Sequence, residues 1–171
     1  MKVVARSAVL AAMVIALASC AKAPPPAAES ANAGASVAAT PADVEAVSVA
    51  WKNAYNGGDA ASVAALYTDD AVLSAPGEPA VRGRVAISDY FVAKVAQFRD
   101  SGLTVVDAPL GDVKMSGDLA WQWQTYKVTN ASGAVVDSGK LVTLFERKDG
   151  KWLIAGDTWN SDGTAVATPS P

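Results

Sequence analysis

The chain predicts an α+β fold, with three helices followed by a strongly curved, mainly antiparallel sheet, and three observations predict it. Between Val44 and Phe98 apolar residues recur at three- and four-residue spacing, the mark of helices that bury one face. From Leu103 onward the period falls to two, and turn residues separate the runs. Helices first and consecutive hairpins afterwards is the order of helices packed on one side of a sheet, not of alternating strand–helix units.

The first helix carries Val44, Val47, Trp51, Ala54 and Tyr55 on one face. Thr40, Pro41 and Asp43 open it with a hydroxyl cap, a proline at the first position and an acid three residues after the cap. Gly57 and Gly58 close it. Asp59 then caps a shorter helix with Val63 and Leu66, and Asp70 leads into a strand over Ala71–Ala75. Pro76-Gly77-Glu78-Pro79 is a turn. Arg82-Gly83-Arg84 enters a third helix whose apolar face is Ile87, Tyr90, Phe91, Val95 and Phe98, ending near Gly102.

Strands are expected over Leu103–Ala108, Leu110–Met115, Leu119–Thr129, Ala134–Lys148 and Lys151–Asn160. In Leu119–Thr129, alternation puts Leu119, Trp121, Trp123 and Thr125 on one face and Gln122, Gln124 and Tyr126 on the other. The tryptophans are expected inward. In the last strand both faces carry bulk, so period alone leaves its orientation open.

The first forty positions are not domain-like. Lys2 and Arg6 precede an apolar run from Ala8 to Ala18, the pattern of a signal peptide. The run is shorter than the roughly 20 residues a spanning helix needs. It ends Leu17-Ala18-Ser19-Cys20 at the sole cysteine of the 171 residues, which excludes an internal disulfide. This ending resembles the lipobox of bacterial lipoproteins. The resemblance implies cleavage before Cys20, acylation of Cys20 and a lipid-anchored place in the bacterial cell envelope. Ala21 and Lys22 stand where an aspartate would favour the inner membrane, so the outer membrane is the expected address. The organisation is therefore a signal peptide over 1–19, an acylated cysteine with a disordered Ala/Pro linker over 20–40, a domain over 41–163 and a loose tail over 164–171.

The formal charge is −3; without the two bases ahead of Cys20 the chain keeps 12 bases against 17 acids. An acidic domain with no basic run has no nucleic-acid footprint. The chain also has no histidine, which removes the commonest general base and metal ligand together. No phosphate loop, nucleophile elbow or metal cluster is present in the sequence, and no cofactor is implied.

NAYNGGDAASVAALYTDDAV, then VRGRVAI opening a helix, then KDGKWLIAGDTWNSDG together resemble the NTF2-like superfamily, in particular its SnoaL-like or DUF4440 group, relatives of ketosteroid isomerases. The likeness spans about Pro41 to Gly163. It implies a cone in which a bent sheet wraps three helices around a pocket, and a homodimer formed through the outer sheet face. Ketosteroid isomerases of this fold use an aspartate base, with a tyrosine and a protonated aspartic acid as oxyanion donors. By the resemblance the base falls on Ala75, the tyrosine on Trp51 and the second acid on about Thr143, none of which can play the family role. The family's pocket wall on the last strand falls on Ala155 and Trp159, with Asp157 inward and Trp152 outward or toward a neighbouring element.

The candidate pocket is then Trp51, Tyr55, Tyr67, Leu73, Ala75, Trp121, Trp123, Thr125, Thr143, Phe145 and Trp159. Asp157 is the sharpest chemical candidate: burial would raise its pKa and suit it to acid–base work with Tyr55 as hydrogen-bond donor. The competing reading is an aspartate tied down by Tyr55, Tyr67 or Trp51 to fix the core. The leading expectation is a membrane-anchored domain that binds a small apolar ligand or a partner protein without turnover. The alternatives are an isomerase, cyclase or hydrolase working through Asp157, and a structural dimerisation module of the envelope. A pocket that opens onto Asp157 favours the enzyme.

Overall fold

Helix α1 (Pro41–Gly57) starts where the sequence places its cap: the Thr40 N–H and hydroxyl both donate to Oδ2 of Asp43, at 2.7 and 2.9 Å. It belongs to a computed structural model that describes residues 39–163. The signal segment, Cys20, most of the linker and the tail over 164–171 lie outside the described residues. Gly58 closes α1 in the left-handed region, φ 81°, with its N–H on the carbonyls of Ala54 and Tyr55, a conformation that costs glycine little. Asp59 caps the short α2 (Ala60–Ala64) by accepting from the Ser62 N–H at 3.0 Å.

Strand β1 (Tyr67–Ser74) begins earlier than the expected Ala71, because its start is fixed by a distant partner. The Ile154 N–H bonds to the Leu66 carbonyl at 2.7 Å, and Tyr67 pairs with Ile154. The two-residue β2 (Val81–Arg82), too short to show a period, pairs antiparallel with β1. Helix α3 (Arg84–Asp100) follows. Then come β3 (Thr104–Pro109), β4 (Lys114–Ser116), β5 (Leu119–Thr129), β6 (Val135–Lys148) and β7 (Lys151–Ser161). The strand expected over Leu110–Met115 is reduced to β4; the Leu110 N–H is taken by the Trp123 carbonyl as the chain turns away.

The sheet runs β2-β1-β7-β6-β5-β3, with β4 also on β5. β1 lies parallel to β7 and the other described pairs are antiparallel. The helices pack in the curve of this mixed sheet, as the sequence predicts. The core is made where they meet it: Val44 from α1, Ile87, Phe91 and Val95 from α3, and Tyr67, Leu73, Phe145 and Ile154 from the sheet. Truncating a ring such as Phe91 to alanine there costs about 3–5 kcal/mol by transfer and cavity together.

Two expectations about strand faces are corrected. On β5 the inward residues are Ala120, Gln122 and Gln124, whereas Trp121 is 39 % and Trp123 51 % exposed. Trp121 stands opposite Leu144 and Trp123 opposite Val142 on the outer face, and Thr125 shares their side by parity. One physical reason is the pairing of Tyr126 with Gly139. A Cβ on Gly139 would come within 2.7 Å of the Tyr126 ring, so the ring lies over that glycine on the inner side. With period two, fixing Tyr126 inward turns both tryptophans outward.

On β7 the register shifts between Leu144 and Phe145 of its partner: Leu144 faces Gly156 and Phe145 faces Ile154. Ala155 is the extra residue of a bulge. Trp152 and Ile154 before it, and Asp157 and Trp159 after it, therefore all turn to the helices. Trp152 is a core residue, 7 % exposed, so of the two places expected for it, outward or toward a neighbouring element, the outward one is excluded. Ala155 does not line the pocket wall assigned to it.

Candidate functional site

A cavity of about 210 Å³ lies between the paired helices and the concave face of the sheet. Helix α1 presents Trp51, Lys52 and Tyr55 to it; α3 presents Tyr90, Phe91, Lys94 and Phe98. These sets follow from helical spacing, which puts residues three and four apart on one side. Trp51 and Tyr55 stack with ring centres 4.8 Å apart and planes at 11°, and Phe98 meets the Tyr55 ring edge-on at 5.0 Å. The sheet supplies Asp107, Gln124, Tyr126, Thr143, Asp157 and Trp159.

A directed hydrogen-bond chain ends at Asp157. The Trp51 indole N–H donates to the Tyr67 hydroxyl at 3.0 Å, and that hydroxyl donates to Oδ2 of Asp157 at 3.0 Å. An indole can only donate, so the chain has one sense, toward the carboxylate. The other oxygen, Oδ1, has no partner among the described residues. Burial pushes Asp157 up to about 6, with Tyr67 and Thr143 pulling the other way. Thr143 faces Asp157 across the β6–β7 pair but does not satisfy Oδ1. Burial, and next the Asp157 charge, hold the Tyr67 hydroxyl well above its usual range. Burial likewise raises Tyr55 and Tyr90 to about 12.

The other charged groups of the cavity are partnered unequally. Lys52 pairs with Asp107, and Lys94 pairs with Glu78 while lying over the Tyr90 ring at 5.3 Å. Asp137 accepts from the hydroxyls of Tyr126 and Ser161, with no cation paired to it among the described residues. Next to Asp157 and Thr143 in the strand register lies Gln122, 1 % exposed, with neither amide atom partnered. No group of three or more metal-ligating side chains occurs among the described residues.

Of the residues singled out in the sequence, Trp51, Tyr55, Thr143, Asp157 and Trp159 line the cavity together. The donor to Asp157 is Tyr67 and not Tyr55, which stacks in the wall instead. Tyr67, Leu73 and Phe145 are fully buried behind the cavity and Ala75 is buried at the end of β1. Trp121, Trp123 and Thr125 are on the far side of the sheet. Sequence reasoning misses Lys52, Lys94, Asp107, Gln124, Tyr126 and Asp137 as wall residues, and takes Tyr90 and Phe98 only for a packing face. The chain does carry one signal: Lys127 shares the parity of the two tryptophans, and a lysine on a strand face marks the solvent side. Nothing local points to Asp107 or Asp137, which reach the cavity only through strand pairing.

The family model of the SnoaL-like domain matches residues 49–154, a segment that holds the second half of α1, all of α3 and the sheet as far as the start of β7, and ends before Asp157. The chain belongs to the SnoaL-like family. Solved structures agree in fold. A ketosteroid isomerase-like protein from Erwinia carotovora atroseptica is 26% identical, with TM-score 0.59 over 71% of this chain and 95% of that one. An NTF2-like protein with a cystatin-like fold from Novosphingobium aromaticivorans is 18% identical, with TM-score 0.66 over 74% and 84%. An NTF2-like protein of unknown function from Shewanella oneidensis is 18% identical, with TM-score 0.57 over 69% and 96%. No curated protein matches the chain in sequence. In this SnoaL-like chain the aromatic cavity holds a buried acid, Asp157, which accepts from a tyrosine of β1.

Proposed function

We propose that this SnoaL-like domain binds a small, largely apolar molecule in the cavity and that Asp157 engages its polar group. The observation that carries this reading is the unpartnered Oδ1 of an acid that lines the cavity. A buried carboxylate oxygen without a hydrogen bond is costly, and a ligand donor or a water is what would relieve it. A thermal-shift screen of single-ring compounds against the domain tests it. Binders are expected to raise the melting temperature of the wild type and to lose that effect in Asp157→Asn; binders indifferent to Asp157→Asn would defeat the reading.

A second reading is isomerase-type proton transfer by Asp157. It is supported by the opening of the cavity onto Asp157 and by an acid that ionises near pH 6, close to working pH. The 26% identical neighbour is a ketosteroid isomerase-like protein. Exchange of a carbon-bound proton of a bound cyclic ketone with D2O, lost in Asp157→Asn, is the expected signature.

Two expectations from the sequence stand beside these as part of the proposal. The lipobox-like ending at Cys20 supports a lipid anchor in the envelope; among the described residues no helix is long and apolar enough to cross a membrane. Incorporation of a fatty-acid label that disappears in Cys20→Ser tests it. The exposed Leu119, Trp121, Trp123 and Leu144 on the outer sheet face support the homodimer. Sedimentation should then show a dimer that Trp123→Glu converts to monomer.

A further inference from the structure

We infer that the ligand of this cavity is an organic cation, a single ring or similarly small apolar body bearing a protonated amine. This rests on the reading of the cavity as a binding site and adds the charge and size of what fills it.

Size comes first. A dry apolar cavity of about 150 Å³ holds benzene, and this one, at about 210 Å³, admits one ring with a short substituent.

Charge comes from the balance of wall groups. Lys52 and Lys94 are each neutralised by a carboxylate, Asp107 and Glu78. Asp157 and Asp137 also line the cavity, and the donors to them are neutral hydroxyls: Tyr67 to the first, Tyr126 and Ser161 to the second. The wall therefore carries uncompensated negative charge and no uncompensated positive charge among the described residues. Such a field, in a site of low dielectric, favours a cation and opposes an anion. The remaining wall is ring surface. Trp51, Tyr55, Tyr90, Phe91 and Trp159 line it, and an aromatic ring attracts a desolvated ammonium over its face. Aromatic walls alone would accept any flat molecule; the unmatched acids select the charged one.

A protonated amine also resolves the orphaned oxygen of Asp157, since it has donors to spare and no acceptor. The groups near Asp157 are Tyr67 from β1, Thr143 from β6 and Tyr90 from α3; Tyr55 of α1 lines the same cavity, and burial holds all three tyrosines protonated. Lys52, Asp107, Lys94 and Asp137 complete the charged set of the cavity. Binding of a cation then requires Asp157 ionised, so affinity depends on pH near 6.

The experiment uses three ring-matched probes, benzylamine, benzyl alcohol and benzoate, titrated into the wild-type protein by calorimetry. Benzylamine is expected to bind at least tenfold more tightly than either of the others at pH 7.5. Its affinity should fall about tenfold at pH 5, where an acid ionising near 6 is about one-tenth charged, and Asp157→Asn should lose most of the preference at pH 7.5. The wild-type pH dependence needs no variant and stands even if the substitution perturbs folding. Equal or tighter binding of benzyl alcohol or benzoate overturns the inference about charge while leaving the cavity a binding site. Failure of all three probes to bind at 10 mM, roughly the limit for so small a ligand, overturns the binding reading as well.

Discussion

Tyr67 and Asp157, separated by 90 residues in sequence, meet at 3.0 Å, with the tyrosine hydroxyl donating to Oδ2 of the carboxylate. The parallel pairing of β1 with β7 makes this contact, and it sets the chemistry of the cavity. The tyrosine satisfies one oxygen of the acid, leaves the other buried without a hydrogen bond and is itself held in place by the Trp51 indole.

The acid should make stability fall as pH rises. Asp157 ionises near 6 in the folded chain against an ordinary 3.8. Between those values the native state binds the proton and the unfolded state does not, so this group's contribution is fully present below 3.8 and is lost as pH rises through about 6. At about 1.4 kcal/mol per pH unit the loss is about 3 kcal/mol. In urea denaturation, the difference between Asp157→Asn and wild type should grow in favour of the variant across that window and level off above it. A flat difference would mean that the acid is solvated in the native state.

Removing the tyrosine hydroxyl should have the opposite sign. Tyr67→Phe takes the partner from the Trp51 N–H and from Oδ2 of Asp157, and a buried orphaned group costs about 1–3 kcal/mol. The same change removes an interaction that lowers the Asp157 pKa, so carbon-detected NMR titration should place the acid above its wild-type value.

Gln122 offers a stabilising substitution. Its amide is buried with neither atom partnered, and methionine has nearly the same shape without the polar group. Gln122→Met is expected to raise the unfolding free energy by about 1 kcal/mol. Destabilisation instead would indicate an ordered water serving that amide.

Two glycines should respond oppositely to alanine. A Cβ on Gly139 would lie 2.0 Å from the Asn160 carbonyl oxygen and 2.7 Å from the Tyr126 ring. Gly139→Ala must therefore move backbone of β7 and should cost about 3 kcal/mol. At Gly57, the end of α1, a Cβ would meet nothing within 4 Å, so Gly57→Ala should gain about 0.5 kcal/mol. Thermal denaturation of the two variants reads both effects.

How much of this is legible in the chain follows the range of the interactions. The cap of α1 involves Thr40 and Asp43, three residues apart, and the periods of α1, α3 and β5 are local too, so sequence pattern reaches them. The early start of β1, the two-residue β2 and the loss of strand before β4 depend on partners elsewhere in the chain. Hydrophobicity without the partner strand misplaces the tryptophans: on β5 the position opposite Gly139 decides parity, and Gln122 and Gln124 go inward with Tyr126.

The sequence by itself determined the helices and the long strands, because periodicity, capping and turn chemistry act over a few residues, and its motif stretches carried the family likeness that made Asp157 a candidate. Only the tertiary structure decided which side of each strand meets the helices, that Tyr67 and not Tyr55 holds the acid, and that Asp107 and Asp137 stand in the same cavity. Those outcomes turn on strand register and on one bulge at Ala155, and a shift of one residue in either reverses every side chain beyond it.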